Sequence, residues 1–192
     1  MSHQMPRLAV IDACCVLNLI ATRLEVDIVA GVGLDLVMSE LANGEALFMS
    51  APPDADGIRT REPASTASLC QAGRLTTRAH DSEEVVDTFV ECARHLRDPD
   101  ASCVALAVVF KLPLVTDDGK ERRIARNLFP QIEIVSTLEI LYEAVGILAL
   151  PESAVLQLAT DLRWRGNFAP PKKDPRSEWY SDLLRRAGVP FP

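Results

Sequence analysis

Short apolar runs alternate with longer amphipathic segments along most of this chain. Continuous apolar runs predict buried β-strands at residues 8–11, 34–38, 112–116 and 132–135, and a shorter one is predicted at 74–78. Helical spacing of apolar residues predicts helices at 13–22, 24–32, 82–96, 101–110, 119–128 and 137–145. Strands that alternate with helices predict an α/β fold, with a mostly parallel sheet covered by helices on both faces.

Three further segments complete the predicted organisation. Ser39 is suited to cap a helix from residue 40 to about 49, whereas residues 51–72, with Pro52 and Pro53, resemble a loop or insertion. Asp98-Pro99 predicts a break before the helix at 101–110. The chain after residue 150 predicts a helix at 152–164, a basic linker at 166–176 and a last helix at 178–187. We therefore expect a main domain over residues 1–150 and a helical extension, residues 151–192, packed on it.

Composition narrows the class of protein. With 192 residues, 48% of them hydrophobic, the chain is long enough for a full core, and its net charge of -7 argues against broad electrostatic binding to nucleic acid. A local basic patch remains compatible with that charge. Five cysteines without a CxxC pair predict free thiols in a reducing cytoplasm. Asp12 and Asn18 interrupt the apolar stretch at 8–21, so neither a signal peptide nor a membrane span is expected.

Acidic residues stand where predicted strands end or helices begin. They are Asp12, Glu40, Asp100 and Asp117. In a parallel α/β sheet such junctions lie along the edge where ligands bind. Carboxylates gathered there repel one another unless a divalent cation neutralises them, and Mg²⁺ or Mn²⁺ suits oxygen ligands. The pattern therefore predicts a metal-dependent, phosphodiester-cleaving site.

Four stretches of the chain resemble the PIN-domain family, which includes the VapC-type toxins of toxin–antitoxin pairs. They are LAVIDACCVLNLI, VMSELANGEAL, DPDASCVALAVVFKLPLVTDDGKERRIARNL and IEIVSTLEILYEA. The last two are the most specific, because strand, acid, basic helix, strand and threonine-started helix follow in order. The resemblance implies a three-layer α/β/α sandwich with a five-stranded sheet and a Mg²⁺- or Mn²⁺-dependent ribonuclease activity. It carries the acidic quartet over to Asp12, Glu40, Asp100 and Asp117.

The resemblance has two departures at the site. Family members often have Ser, Thr or Asn shortly after the first acid, whereas Ala13, Cys14 and Cys15 follow here. The third acid is Asp100, where many relatives of this longer type carry Glu. A group that steadies the metal shell is thus missing, and one ligand arm is shorter.

Each acid has an expected role and a structural alternative. Asp12 and Asp117, following central strands, are expected as direct metal ligands, and Glu40 and Asp100 as ligands of a second ion or of metal-bound water. Alternatively, carboxylates at helix starts only stabilise the helix dipole, and Asp117-Asp118-Gly119 forms only a turn. We expect Asp98 and Asp118 to be solvated surface residues. A basic run follows Asp117, and it consists of Lys120, Arg122, Arg123 and Arg126. We expect it to bind RNA phosphates, and a solvated helix face is the alternative.

Three hypotheses of function follow from the sequence. The main one is a metal-dependent endoribonuclease, the toxin of a toxin–antitoxin pair, with RNA as substrate and a cognate antitoxin or a second copy of the chain as partners. The alternative is a catalytically inactive PIN-like module that binds RNA or protein. A phosphoacceptor receiver domain is disfavoured, because Asp12 has no adjacent acid and no lysine follows the strand at 132–135.

Overall fold

A parallel five-stranded sheet forms the centre of the molecule. The computed structural model describes residues 7–45, 48–54, 56–171 and 173–191. The central strands are β1 (Leu8–Ile11), β2 (Asp35–Ser39), β5 (Leu75–Arg78), β6 (Leu114–Val115) and β7 (Ile134–Val135). All neighbouring pairs are parallel, and the order is β5-β2-β1-β6-β7. With helices on both faces, this is the predicted three-layer α/β/α sandwich.

Helices connect and cover the strands. In the main part of the chain they are α1 (Ala13–Ala21), α2 (Glu25–Gly31), α3 (Glu40–Asn43), α4 (Ala67–Gln71), α5 (Glu83–Ala93), α6 (Asp98–Val109), α7 (Gly119–Leu128) and α8 (Thr137–Ile147). Strand β1 and helix α6 lie at the centre of the hydrophobic core, since Val10, Ile11, Val104 and Leu106 are fully buried. A strand buried on both faces needs the continuous apolar run that the sequence shows there.

Local predictions differ from the structure at three places. The helix predicted over residues 40–49 ends at Asn43, and two of its predicted residues, 46 and 47, lie outside the described part of the chain. The predicted loop at 51–72 contains α4 and strand β4 (Arg61–Pro63), which pairs antiparallel with β3 (Phe48–Ser50). Helices α5 and α6 are separate, as predicted, but the break lies at residues 94–97 and not at Asp98-Pro99, because proline fits the first turn of α6, where no backbone N–H is needed.

The C-terminal segment packs against the first helix of the sheet domain. It contains α9 (Glu152–Trp164) and α10 (Ser177–Arg186), and α9 contacts both α10 and α1. Tyr180 of α10 is buried, with its ring 5.4 Å from that of Phe168. Lys172 of the predicted basic linker, and the chain ends at 1–6 and 192, lie outside the described residues.

The described helices include none that combines the length and the apolar character needed to cross a bilayer.

The carboxyl ends of the parallel strands lie together along one edge of the sheet. Strands β1, β2 and β6 run side by side, so the residues that follow Ile11, Ser39 and Val115 meet at one edge. This is the edge where open parallel sheets bind ligands.

Candidate functional site

A small cavity lies at this edge, and we call it the acidic cavity. Its carboxylates are Asp12, Asp100, Asp118 and Glu45, with the guanidinium of Arg97 beside them, and its remaining lining consists of Ala13, Cys14, Ala42, Pro99 and Cys103. Its volume is about 20 Å³. A cavity of that size holds about one water molecule or one small cation.

Asp12 occupies the most constrained position in the acidic cavity. Its backbone N–H donates to Val115 O at 3.1 Å, which fixes the end of β1 to β6. Its side chain caps α1, with Oδ1 accepting from the N–H of Cys15 at 2.5 Å. Burial raises the pKa of Asp12 to about 6, and the charge of Asp117 adds to that rise, while hydrogen bonds from Cys15 and Thr116 oppose it. An ionised Asp12 is therefore incompletely compensated by the protein itself.

Asp100 stands in the first turn of α6 and is held by Arg97. The Arg97 guanidinium lies 3.3 Å from Asp100 Oδ1 and 3.4 Å from Glu45 Oε1. The charge of Asp100 and its hydrogen bond, followed by the charge of Glu45, raise the pKa of Arg97. Arg97 is 65% exposed, so these ion pairs are screened by water. The cavity thus carries one cation of its own at its open side.

Asp118, the N-cap of α7, lines the acidic cavity, whereas Glu121, in the first turn of that helix, is not among the lining residues. Asp118 is exposed and caps the helix, accepting from the N–H of Glu121 at 2.7 Å. Glu121 is fully buried; its Oε2 accepts from Thr116 Oγ1 at 2.6 Å, and its Oε1 has no partner among the described residues. Burial first, and then the charges of Asp12, Asp100 and Asp118, raise the pKa of Glu121 far above its usual value. Sequence reasoning missed Glu121, because it lies within a run of basic residues.

Asp117, predicted as a direct metal ligand, is not among the residues that line the acidic cavity. Its Oδ2 accepts from Cys15 Sγ at 3.2 Å and from Asn18 Nδ2 at 3.3 Å, and its Oδ1 accepts from the N–H of Thr137 at 3.0 Å. Burial raises its pKa, and the hydrogen bonds from Thr137 and Cys15 counteract that rise. Successive side chains that leave a strand point in opposite directions, so Asp118 lines the cavity where Asp117 does not.

Glu40 is also placed apart from the other predicted ligands. It lines a separate depression of about 160 Å³ with Leu41, Arg78, Ala79 and His80. Helix α3 ends at Asn43, and Glu45, in the turn that follows, reaches the acidic cavity instead. The structure therefore brings together two of the four predicted acids, Asp12 and Asp100, and adds Asp118 and Glu45.

The donor set suits a hard divalent cation in its chemistry. Carboxylate oxygens are the ligands that Mg²⁺ and Mn²⁺ prefer, and Asp12, Asp100, Asp118 and Glu45 present such oxygens to the cavity. Burial, with the charges of Asp12 and Asp100, raises the pKa of Cys14 to about 12, so this lining residue stays a neutral thiol. Within the described ranges, no three acidic, histidine or cysteine side chains stand close enough to hold a metal as they are placed. Coordination would therefore require side-chain rotation, for which exposed Asp118 and Glu45 have room.

The basic helix α7 is only partly available to RNA. Lys120, Arg123 and Arg126 are exposed, whereas Arg122 is half-buried and donates to Thr116 O at 2.8 Å. Arg122 thus holds the end of β6 in place, and three of the four predicted phosphate contacts remain free on the surface.

Comparisons with models of protein families, with curated protein sequences and with solved structures found no match to this chain.

Proposed function

We propose that this chain is a Mg²⁺- or Mn²⁺-dependent endoribonuclease of the PIN-like type, acting as the toxin of a toxin–antitoxin pair. One observation carries the proposal: Asp12, Asp100 and Asp118 converge on one cavity at the ligand-binding edge of the sheet. Four carboxylates and the single guanidinium of Arg97 stand among the described residues that line this cavity, so acidic groups outnumber basic ones there. The sequence resemblance described above supports the same activity.

Asp12, Asp100 and Asp118 are the residues that would hold the ion. When bound, a divalent cation lowers the pKa of a water molecule and neutralises charge on the scissile phosphate. Asp12 contributes orientation, because its bond to the N–H of Cys15 fixes the carboxylate at the start of α1. Asp118 is exposed, so an incoming water molecule can reach its carboxylate.

Arg97 is suited to contact the phosphate. Its guanidinium is exposed, and bidentate binding to phosphate is the geometry that this side chain favours. An incoming phosphate would replace the Asp100 and Glu45 partners at one side of the guanidinium, both of which are at least 3.3 Å away. The positive charge would then lie beside the bond that breaks.

The same arginine favours a second candidate, the catalytically inactive PIN-like module that binds RNA or protein. Arg97 already pairs with Asp100 and Glu45, so its one positive charge offsets part of the charge of these two carboxylates without a metal. Such an internal cation helps the site to keep its fold with no ion bound. Titration with Mn²⁺ separates the two candidates, because only the enzyme requires the ion.

The direct test is cleavage of a mixture of structured RNAs by the pure protein, with Mn²⁺ or with a chelator. We expect products only with the metal, and none from Asp118→Asn, whose far-UV circular dichroism should match wild type because Asn also caps a helix. Asp117→Asn is the matched comparison, since it changes the neighbouring carboxylate that lies outside the cavity. It should keep measurable activity and melt at a lower temperature, because its amide would face two hydrogen-bond donors.

The enzyme hypothesis is overturned if RNA stays intact with every metal while Mn²⁺ still binds. The inactive module would then take its place. Equal loss of cleavage in both variants would show that the cavity lined by Asp118 is not the site of the chemistry.

A further inference from the structure

A second, larger cavity adjoins the acidic one, and we call it the hairpin groove. It lies between the β3–β4 hairpin, helix α1 and the end of α9, and its lining consists of Leu17, Glu45, Phe48, Met49, Ser50, Arg61, Arg165, Gly166 and Asn167. Its volume is about 370 Å³, which is in the range of pockets that hold small molecules. Glu45 lines both cavities, so a ligand in the groove would reach the acidic cavity without crossing another element.

Two arginines give the groove its donors. Arg61 is exposed on β4. Arg165 is only 9% exposed; its Nη2 lies 2.7 Å from Glu62 Oε2, while its Nε has no acceptor within the part of the chain that the structure describes. A buried guanidinium N–H without an acceptor is costly, and a bound anion would remove that cost. Phosphate is the anion that matches the forked guanidinium geometry.

An exposed aromatic ring stands beside these donors. Phe48 is 53% exposed, although a phenylalanine is usually buried. In the hairpin register Phe48 pairs with Pro63 and Ser50 pairs with Arg61, which places Phe48 and Arg61 on the same face. An aromatic face next to a guanidinium is the combination with which proteins bind unstacked bases of single-stranded nucleic acid.

The groove is held in shape by Arg59. Its guanidinium donates to Asn167 Oδ1 at 3.1 Å, to Ala51 O at 3.4 Å and to Trp164 O, and it lies 5.8 Å from the centre of the Trp164 ring. These contacts join the hairpin to the end of α9. In addition, the N–H of Ser50 donates to Arg165 O at 3.1 Å. A groove formed before the ligand arrives loses less entropy on binding.

We propose that the hairpin groove binds one nucleotide of single-stranded RNA next to the scissile phosphate. Its base stacks on Phe48, and its phosphate binds Arg61 and Arg165. This proposal rests on the proposed nuclease function, because the groove matters for that reaction through its contact with the acidic cavity. An acidic peptide would also meet the arginines, but it would leave the exposed Phe48 ring without a stacking partner.

The experiment measures the affinity of the whole chain for a labelled, single-stranded polyuridine oligonucleotide by fluorescence anisotropy. A chelator is present throughout, so that cleavage cannot occur, and salt is varied. Phe48→Leu should weaken binding about tenfold at unchanged salt dependence, and Phe48→Trp should retain it, because only an aromatic ring stacks on a base. Arg61→Gln should weaken binding and make the slope of log affinity against log salt shallower by about 0.7, the value for one lost phosphate contact on a single strand.

Arg23→Gln is the matched control, because Arg23 is an exposed arginine that does not line the groove, and the substitution removes the same charge. Phe48 and Arg61 are exposed, so their variants should melt like wild type. The groove proposal is overturned if wild type binds no single-stranded RNA, or if both variants lose no more affinity than Arg23→Gln.

The outcomes also separate the two proposals. If wild type cleaves RNA with metal and the groove variants bind RNA normally, the nuclease proposal stands and the groove proposal is rejected. If wild type never cleaves RNA but the groove variants lose RNA affinity, the groove proposal stands and the nuclease proposal is rejected. An acidic peptide that competes with wild-type RNA binding equally well in Phe48→Leu would reassign the arginines to a protein partner.

Discussion

Neutralising Asp12 should stabilise the metal-free protein. Burial holds the Asp12 pKa at about 6, compared with 3.8 for an ordinary aspartate. Between these two values the folded state binds the proton more tightly than the unfolded chain, so the free energy of unfolding falls as pH rises from about 4 to about 6. At about 1.36 kcal/mol for each pKa unit, the loss amounts to about 3 kcal/mol at neutral pH.

Asp12→Asn removes this penalty and keeps the cap on α1, because asparagine caps a helix about as well as aspartate. At pH 7 with a chelator, we expect the variant to exceed wild type by up to about 3 kcal/mol, which is roughly 6–12 °C in melting temperature for a chain of this length. The two proteins should converge below about pH 3, where Asp12 is protonated in both the folded and the unfolded state. Urea denaturation over a pH series measures both effects.

Two control measurements accompany that experiment, one on Asp118→Asn and one with added Mn²⁺. Asp118→Asn neutralises an exposed carboxylate of the same cavity and should change stability little, since water already solvates its charge. Wild type with Mn²⁺ in hundredfold excess over its Kd should regain about 2.7 kcal/mol, whereas Asp12→Asn should gain little. If the stability of Asp12→Asn falls with pH as steeply as that of wild type, the assignment of the penalty to ionised Asp12 is refuted.

Two other substitutions test neighbouring contacts. Gly166→Ala should lower the free energy of unfolding by about 1–3 kcal/mol, because its Cβ would stand 2.8 Å from both Asn18 Oδ1 and Leu162 O. Gly146→Ala, in an open position on α8, should instead raise it by about 0.5–1 kcal/mol, and equal melting of the two would contradict the clash. Arg97→Gln should raise Mn²⁺ affinity up to about fivefold, because a competing cation of modest strength leaves the carboxylates. Calorimetry checks this, and a weaker affinity would show that Arg97 does not compete.

Strands β1, β2 and β6 could be predicted because nearly all of their residues are buried, whichever face of the sheet they point to. The boundaries of β1 and α7 coincide with the predicted segments, since a buried strand and an amphipathic helix leave clear patterns. The β3–β4 hairpin could not be predicted in the same way. Its strands have three residues each, and β4 ends at Pro63, so neither shows an alternating pattern.

The site was predictable as an edge but not as a set of side chains. Sequence position places both Asp117 and Asp118 after β6, but only the backbone direction decides which of them faces the acidic cavity. Glu45 was hidden by the predicted continuation of α3, and Glu121 by the basic residues around it. Which acid turns inward depends on tertiary hydrogen bonds such as that from Thr116 to Glu121, and these leave no mark in the sequence.

Capping ties the chemistry of the site to the backbone in a way that limits how it can vary. Asp12 and Asp118 each hold the start of a helix with the side chain that lines the cavity. Glutamate is too long to cap in the same manner, so a glutamate at either position would lower the stability of the fold and would also displace the carboxylate from the cavity. Asparagine keeps the cap and deletes the charge, and a single base change converts an aspartate codon to an asparagine codon. A lineage of such proteins can therefore lose the charge that the proposed activity needs in one mutational step, while the helix caps and the fold remain.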